Sequence, residues 1–228
     1  MSNRHLDRNA LATEDLLGLG FIPESVVRGK RALDIAAALI GLLLTVPLWP
    51  LIALAIKLDS PGPVLFRQLR VGRMQSDHTT LFEMLKFRTM RTDAERTTGA
   101  VWATRHDARV TRVGRFLRNT RLDELPQLIN VLRGDMSVVG PRPERPGLYG
   151  TLNRAVPYFA DRTIGLRPGV TGLAQVRQGY DTSIDDVRRK VGYDAAYAIR
   201  LASLPSWIGT DLGIMVRTVA VMFAGRGR

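Results

Sequence analysis

Residues 35–56, IAAALIGLLLTVPLWPLIALAI, are 22 consecutive uncharged and mostly aliphatic positions. A helix crossing a bilayer needs roughly 20 such residues, so the run is long enough for a membrane segment. Pro47 and Pro50 interrupt it near its middle, where a proline removes a helical hydrogen bond and crowds the preceding turn. The stretch from Ala32 to Val46 makes only about 22 Å of helix, too short to cross alone. Basic residues flank both ends: Arg28, Lys30 and Arg31 before the run, and Lys57, Arg67, Arg70 and Arg73 after it. Lysine and arginine favour the cytoplasmic side, so both ends are expected there. The pattern predicts a re-entrant helix-break-helix that dips into one leaflet and returns, the alternative being a bent spanning helix. Asp34 follows Arg31 by three positions, a spacing that predicts an ion pair on the helix surface.

The remaining pattern predicts a small mixed domain. A proline-glycine turn in DSPGPVLFRQLRVG and the strand-like TTLFEMLKFRTM predict a β-hairpin across 64–88. Arginines at 105, 109, 112, 115, 118 and 121 interleave with Val110, Val113, Phe116 and Leu117, which reads as a helix with an apolar strip between basic side chains. SVVGPRPE (137–144) is a short strand ending in a proline-bracketed arginine, and RPGVTGLAQV (167–176) is a glycine-containing turn. Residues 212–224 are apolar, interrupted by Arg217, and predict an amphipathic interfacial helix. The fold class expected is α+β and predominantly helical. Its divisions are a short N-terminal extension over 1–28, a re-entrant membrane hairpin over 29–58 and a compact catalytic domain over 59–228.

Composition narrows the chemistry. Thirty-three Lys and Arg stand against 21 Asp and Glu, a net charge of +12, which attracts nucleic acid, acidic lipid headgroups or phosphorylated small molecules. There is no cysteine, excluding disulfides and thiolate metal sites. The three histidines, His5, His78 and His106, are scattered without metal-ligand spacing, and the chain has no P-loop, GxGxxG or GxSxG element. The first 28 residues are charged and lack the apolar core of a cleaved signal peptide. Carboxylate, arginine and lysine chemistry on a phosphate-bearing partner remains. A basic adaptor binding anionic lipid or nucleic acid is the non-enzymatic alternative, but no nucleic-acid module accompanies the arginines, so no nucleic acid is expected.

The carboxylates of interest are Asp123 and Glu124 in TRLDELPQLIN. Thr120 with Asp123 three residues on has the spacing of a capping box, yet Pro126 would then lie well inside the helix. A helix starting near Asp123 puts Pro126 in the first turn, places both carboxylates at a helix N-terminus and lets Gly134 end the helix. Neighbouring helical residues point about 100° apart, so the two would act separately. One carboxylate can attack phosphorus, and its neighbour can hold Mg²⁺ together with substrate phosphates.

KRALD (30–34), PGPVLFRQLRVG, LKFRTM (85–90), ARVTRVGRFLRNTRLDELPQLINVLRGDMSVVGPRPE (108–144) and RPGVTGLAQV, in this order, resemble the bacterial sugar transferase family. Its members are monotopic polyprenyl-phosphate glycosyl-1-phosphate transferases. The resemblance spans about residues 28–218 and implies the small form of the family, seated on the cytoplasmic face of the bacterial inner membrane. It implies that Asp123 attacks the sugar-bearing phosphate of a UDP-sugar, releasing UMP, before the phosphosugar passes to polyprenyl phosphate. Glu124 would bind Mg²⁺ and phosphate, while Lys86, Arg118 and Arg142 match phosphate-binding positions and Pro47 and Pro50 mark the membrane-helix break. The partners implied are a UDP-sugar, polyprenyl phosphate and membrane lipids, with exopolysaccharide synthesis as the destination. Three departures stand out: Val46 replaces the serine usual before the helix-breaking proline, His106-Asp107-Ala108 replaces Asn-Asp-Pro, and Arg121 replaces a serine.

Overall fold

The apolar run folds as a helix from Glu24 to Thr45 (α1), a 3-10 turn over Val46–Leu48, and a second helix from Trp49 to Asp59 (α2). The structure is a computed structural model describing residues 22–75, 77–94, 107–178 and 183–223. Residues 1–21 of the N-terminal extension, and Arg105 and His106 ahead of the arginine row, lie outside the described residues. α1 starts at Glu24, ahead of residue 29: the extended Pro23 precedes it, and Glu24 puts a negative charge in the first turn. Pro47 and Pro50 each occupy the opening turn of the segment that follows, where the missing N–H has no helical partner to lose. By length and composition Glu24–Asp59 can cross a membrane, with mean hydropathy 2.4 and only 6% of its most apolar window buried.

Both ends of this element are tied to the same body. Near the start, Lys30 Nζ lies 2.7 Å from Asp211 Oδ2, and Asp34 Oδ1 accepts from Ser137 Oγ (2.9 Å) and Val138 N (2.8 Å). At the far end Asp59 Oδ2 accepts from Val113 N (2.8 Å), and the Arg88 guanidinium donates to the carbonyls of Ser60 (2.6 Å) and Pro61. Trp49 packs edge-on against Phe87, ring centroids 5.3 Å apart. Between these anchors Leu39, Ile40, Leu43, Leu44, Leu51 and Leu54 are exposed, Leu43 at 77%.

The Arg31–Asp34 pair expected on the helix surface does not form. Asp34 is buried and takes its hydrogen bonds from Ser137 and Val138, whereas Arg31 donates to the carbonyls of Val131 (2.6 Å) and Leu132 (2.8 Å). Those carbonyls lie in the last turn of a helix; Val131 O also accepts from the closing Gly134 N (3.1 Å), and the guanidinium adds a donor where helical donors run out.

The expected hairpin is present. β1 (Leu65–Met74) pairs antiparallel with β2 (Thr79–Phe87), Phe66 opposite Lys86, with an irregularity between Val71 and Met74. From the arginine row only Arg112–Asn119 is helical (α3), started by the Thr111 hydroxyl, which accepts from Gly114 N (3.0 Å). A Cβ on Gly114 would lie 2.1 Å from the Thr89 carbonyl oxygen, so glycine is what lets α3 approach the end of the hairpin. The apolar strip divides accordingly: Leu117 is buried and Phe116 exposed.

Gln127–Arg133 forms α4, closed by Gly134 at φ 90°. Ser137–Val139 (β3) runs parallel to Gly169–Thr171 (β4), with Pro146–Ala155 (α5) between them in sequence. RPGVTGLAQV is therefore a strand followed by a short helix (α6, Leu173–Arg177), not a turn. Its ladder partner lies some 30 residues upstream, out of reach of any local pattern. Ile184–Arg200 (α7) starts with a capping box from Ser183 and Asp186, and Leu204–Phe223 (α8) follows. α8 extends further toward the N-terminus than 212–224; it buries Trp207, Asp211 and Ile214 and exposes Leu204, Ile208, Leu212, Val216 and Val219. The architecture is α+β, mostly helical, around two small two-stranded sheets.

Candidate active site

The segment after α3 does not continue as a helix. Arg121 takes a left-handed conformation, φ 59° and ψ 12°, and Leu122–Glu124 form one 3-10 turn before α4. Such a conformation costs a non-glycine residue of order 1–3 kcal/mol and persists where surrounding contacts over-determine it. The helix start expected near Asp123 is corrected here, and the capping-box register that Pro126 argued against is also absent. Thr120 caps nothing at an N-terminus; its hydroxyl donates back to Phe116 O (2.9 Å). α4 begins at Gln127 with Pro126 as its flanking residue, so Asp123 and Glu124 lie ahead of the helix rather than in its first turn. The positive field around the pair thus comes from side chains.

Asn130 aligns the two parts that meet here. Buried in α4, it accepts from Leu85 N (3.0 Å) and donates to Glu83 O (2.7 Å), satisfying alternate backbone groups along β2. This brings Lys86, the next residue along, over the 3-10 turn. Its Nζ stands 3.0 Å from Glu124 Oε1, and the same oxygen receives Arg142 Nη2 at 3.2 Å and Arg121 Nη1 at 3.6 Å. Burial alone would raise the Glu124 pKa; Lys86, Arg142 and Arg121 overcome it and hold the carboxyl well below its usual range. Burial pulls the Lys86 pKa down, with Glu124 opposing.

Asp123 is buried beside this cluster, and its Oδ1 has no hydrogen-bond partner among the described residues. Burial, with Glu124 adding repulsion, raises its pKa to about 6 against the pull of Lys86, Arg118 and Arg121. The two neighbours therefore differ sharply: cations hold the Glu124 pKa well below its usual range, and burial raises that of Asp123 to about 6. Arg118 Nε donates to Thr89 Oγ1 (2.9 Å), which orients it on the Asp123 side of the cluster.

The structure brings together Lys86, Arg118, Asp123, Glu124 and Arg142; Pro47 and Pro50 lie apart in the apolar helical element. Arg121, Asn130 and Arg70 also belong to the site and were not among the candidates. Burial, then the nearby Arg142, lowers the Arg70 pKa to about 10, and its Nη1 donates to Pro143 O (3.0 Å). An asparagine inside the apolar run LPQLINVL was the one local sign of Asn130's role. No group of three or more His, Cys, Asp or Glu capable of holding a metal occurs among the described residues. Mg²⁺ is commonly held by one or two carboxylates with substrate phosphates and water, which an adjacent Asp-Glu pair with one orphaned oxygen suits.

Comparison with known proteins shows the family of the chain. Residues 25–225 match the bacterial sugar transferase family profile. The chain is 43% identical over 198 residues to the UDP-N-acetylgalactosamine-undecaprenyl-phosphate N-acetylgalactosaminephosphotransferase of Aeromonas hydrophila, covering 87% of this chain and 44% of that protein. It is 46% identical over 193 residues to the UDP-glucose:undecaprenyl-phosphate glucose-1-phosphate transferase of Caulobacter vibrioides, covering 83% of this chain and 68% of that protein. With the exopolysaccharide production protein PSS of Rhizobium leguminosarum bv. phaseoli it shares 48% identity over 151 residues, 65% of this chain and 73% of that protein. The chain thus spans less than half of the Aeromonas relative and about two thirds or more of the other two. With Asp123 and Glu124 set among Lys86, Arg118, Arg121 and Arg142, and a family match over nearly its whole length, the chain belongs to the bacterial sugar transferase family.

Proposed function

We propose that the protein transfers a sugar 1-phosphate from a UDP-sugar to polyprenyl phosphate through a covalent Asp123 intermediate. An ionised Asp123 oxygen attacks the sugar-bearing phosphorus, the phosphoanhydride bond breaks, and UMP leaves with the electron pair. A phosphate oxygen of polyprenyl phosphate then attacks the same phosphorus, releasing Asp123 and forming polyprenyl diphospho-sugar. The observation that carries this reading is the buried, unbonded Asp123 Oδ1 beside cations that already neutralise Glu124. A carboxylate stripped of solvent is a better nucleophile, and Lys86, Arg118, Arg121 and Arg142 supply charge for the phosphate oxygens. Glu124 orients Lys86, Arg121 and Arg142 and would contribute a ligand to Mg²⁺, which when bound supplies further neutralisation of phosphate oxygens.

The membrane element fits the same chemistry. Its two ends are held to one body by Asp34–Ser137 and Asp59–Val113 while the leucines between them are exposed, which supports a re-entrant hairpin in the cytoplasmic leaflet. That location would put the phosphate of a polyprenyl carrier at the level of the site.

Exchange of labelled UMP into UDP-sugar without any lipid acceptor tests the covalent step. The label should enter UDP-sugar with the wild type and not with Asp123→Asn. Exchange that strictly requires polyprenyl phosphate would refute the intermediate.

A further inference from the structure

In the loop Pro141–Glu144 every backbone carbonyl accepts a hydrogen bond from a distant part of the chain. Pro141 O accepts from Gly169 N (2.8 Å), Arg142 O from Arg162 Nη2 (3.1 Å), Pro143 O from Arg70 Nη1 (3.0 Å) and Glu144 O from Val71 N (2.9 Å). Pro143 has no N–H, so the carbonyl of Arg142 is the sole hydrogen-bonding group of the peptide that joins them. Proline next in sequence biases Arg142 to an extended backbone, and what remains is the orientation of that peptide plane. Arg162 fixes it.

Arg162 is itself locked. It is 4% exposed; Nη1 reaches Asp194 Oδ2 at 2.8 Å, Nη2 lies 3.5 Å from Glu144 Oε1, and the guanidinium sits 4.7 Å from the Phe159 ring centroid. Lys190 Nζ, 2.6 Å from Glu144 Oε1, completes a set of two cations and two carboxylates from the loop, the 3-10 turn Asp161–Thr163 and α7. Because the set is balanced, it adds no net charge for a substrate. Buried ion networks are often no more stable than an apolar replacement of the same shape, so stability alone is a weak reason for this one. It touches the active-site machinery at the carbonyl of Arg142, whose Nη2 faces Glu124, and the charge of Glu144 also acts on Arg70.

We propose that Arg162 is a positioning residue: by holding the Arg142 carbonyl, with Asp194 and Glu144 behind it, it aims the Arg142 guanidinium at the phosphate-binding side of Glu124. This rests on the transfer reading above. Misplacement of a binding group by about 1 Å can cost on the order of 10²-fold, which sets the scale of the effect.

The test uses the whole chain in lipid nanodiscs. Arg162→Gln should raise KM for the UDP-sugar by about tenfold or more with a smaller fall in kcat, and Arg162→Lys, still able to donate to the Arg142 carbonyl, should recover part of the loss. In an Arg142→Ala background the same Arg162→Gln change should add less than about twofold, since it acts through Arg142. An equal loss in both backgrounds, or a lowered Tm with unchanged kinetics, would overturn the proposal. Arg162→Gln with Asp194→Asn avoids leaving a buried carboxylate unpaired, and hydrogen exchange in that variant needs no substrate. Faster exchange at the amides of Arg142, Glu144 and Arg145 is expected, and unchanged exchange there refutes the clamp. If the wild type turns over no UDP-sugar, the transfer reading falls, and hydrogen exchange still decides whether Arg162 holds the loop.

Discussion

Lys86 Nζ and Glu124 Oε1 are 3.0 Å apart, joining the end of the β-hairpin to the 3-10 turn that carries the candidate nucleophile. Both side chains are largely buried, 14% and 9% exposed. Removing one partner of such a pair costs about 3–5 kcal/mol because the other charge stays buried. Lys86→Met should therefore lower both transfer activity and stability. Glu124→Gln should cost more stability than Lys86→Met, measured by chemical denaturation, because Lys86, Arg142 and Arg121 all pair with that one carboxylate, whereas Glu124 keeps two of its cations in Lys86→Met. Wild-type activity in Lys86→Met would mean that the pair is structural only.

The raised pKa of Asp123 predicts opposite trends for activity and stability. Its proton is held more tightly in the folded protein, at about 6, than at its usual 3.8. The burial penalty is therefore absent at low pH, grows as pH rises to about 6 and is constant above it. kcat/KM for the UDP-sugar should fall about tenfold per unit as pH drops below 6, because the protonated carboxyl cannot attack. Asp123→Asn should raise Tm at pH 8 relative to the wild type, with little difference at pH 4, and should be inactive at both. An activity profile flat from pH 5 to 8 would remove Asp123 from the nucleophile's role.

Asn130→Ala removes both side-chain bonds to β2 and leaves Leu85 N and Glu83 O without them. Leu85 N is buried, and leaving such a group unsatisfied costs about 1–3 kcal/mol, so a drop of that order in unfolding free energy is expected. Activity at a temperature where the variant is still folded should also fall, because Lys86 loses its register over Glu124. Asn130→Asp is a sharper probe: its carboxylate can accept from Leu85 N but cannot donate to Glu83 O. Wild-type kinetics in both variants would show that β2 needs no such tether.

The cysteine-free chain permits a direct test of the membrane element. Ser25→Cys and Asp77→Cys place single thiols at exposed positions on either side of the apolar run 35–56. In sealed inverted membrane vesicles both should react with a membrane-impermeant maleimide, whereas Leu43→Cys should be protected. Labelling of only one of the two flanking positions would establish a spanning helix.

Several features were legible in residue order alone. The apolar run and its prolines foretold two helical segments joined at Val46–Leu48, and the strand-like runs foretold β1 and β2. Each is a local effect: a proline's missing N–H acts within one turn, and a hairpin's register is set by neighbouring strands. The nearness of Asp123 and Glu124 to arginines was legible too, because Arg118 and Arg121 stand within the same short run of residues.

Tertiary structure decided the rest. Arg121 is left-handed and α4 starts late because contacts from β2 and the 137–144 segment hold the turn, and these compete with the helix that local pattern favours. Asp34 turned from Arg31 to Ser137 because burial makes an unsatisfied carboxylate costlier than a broken surface pair. β4 needed β3, some 30 residues away, and Asn130, Arg70 and Arg162 each reach a backbone carbonyl far off in sequence. Residue order by itself determined which side chains could attack or hold a phosphate. Long-range hydrogen bonds, formed only once buried backbone groups must find partners, decided which of them meet and in what charge state.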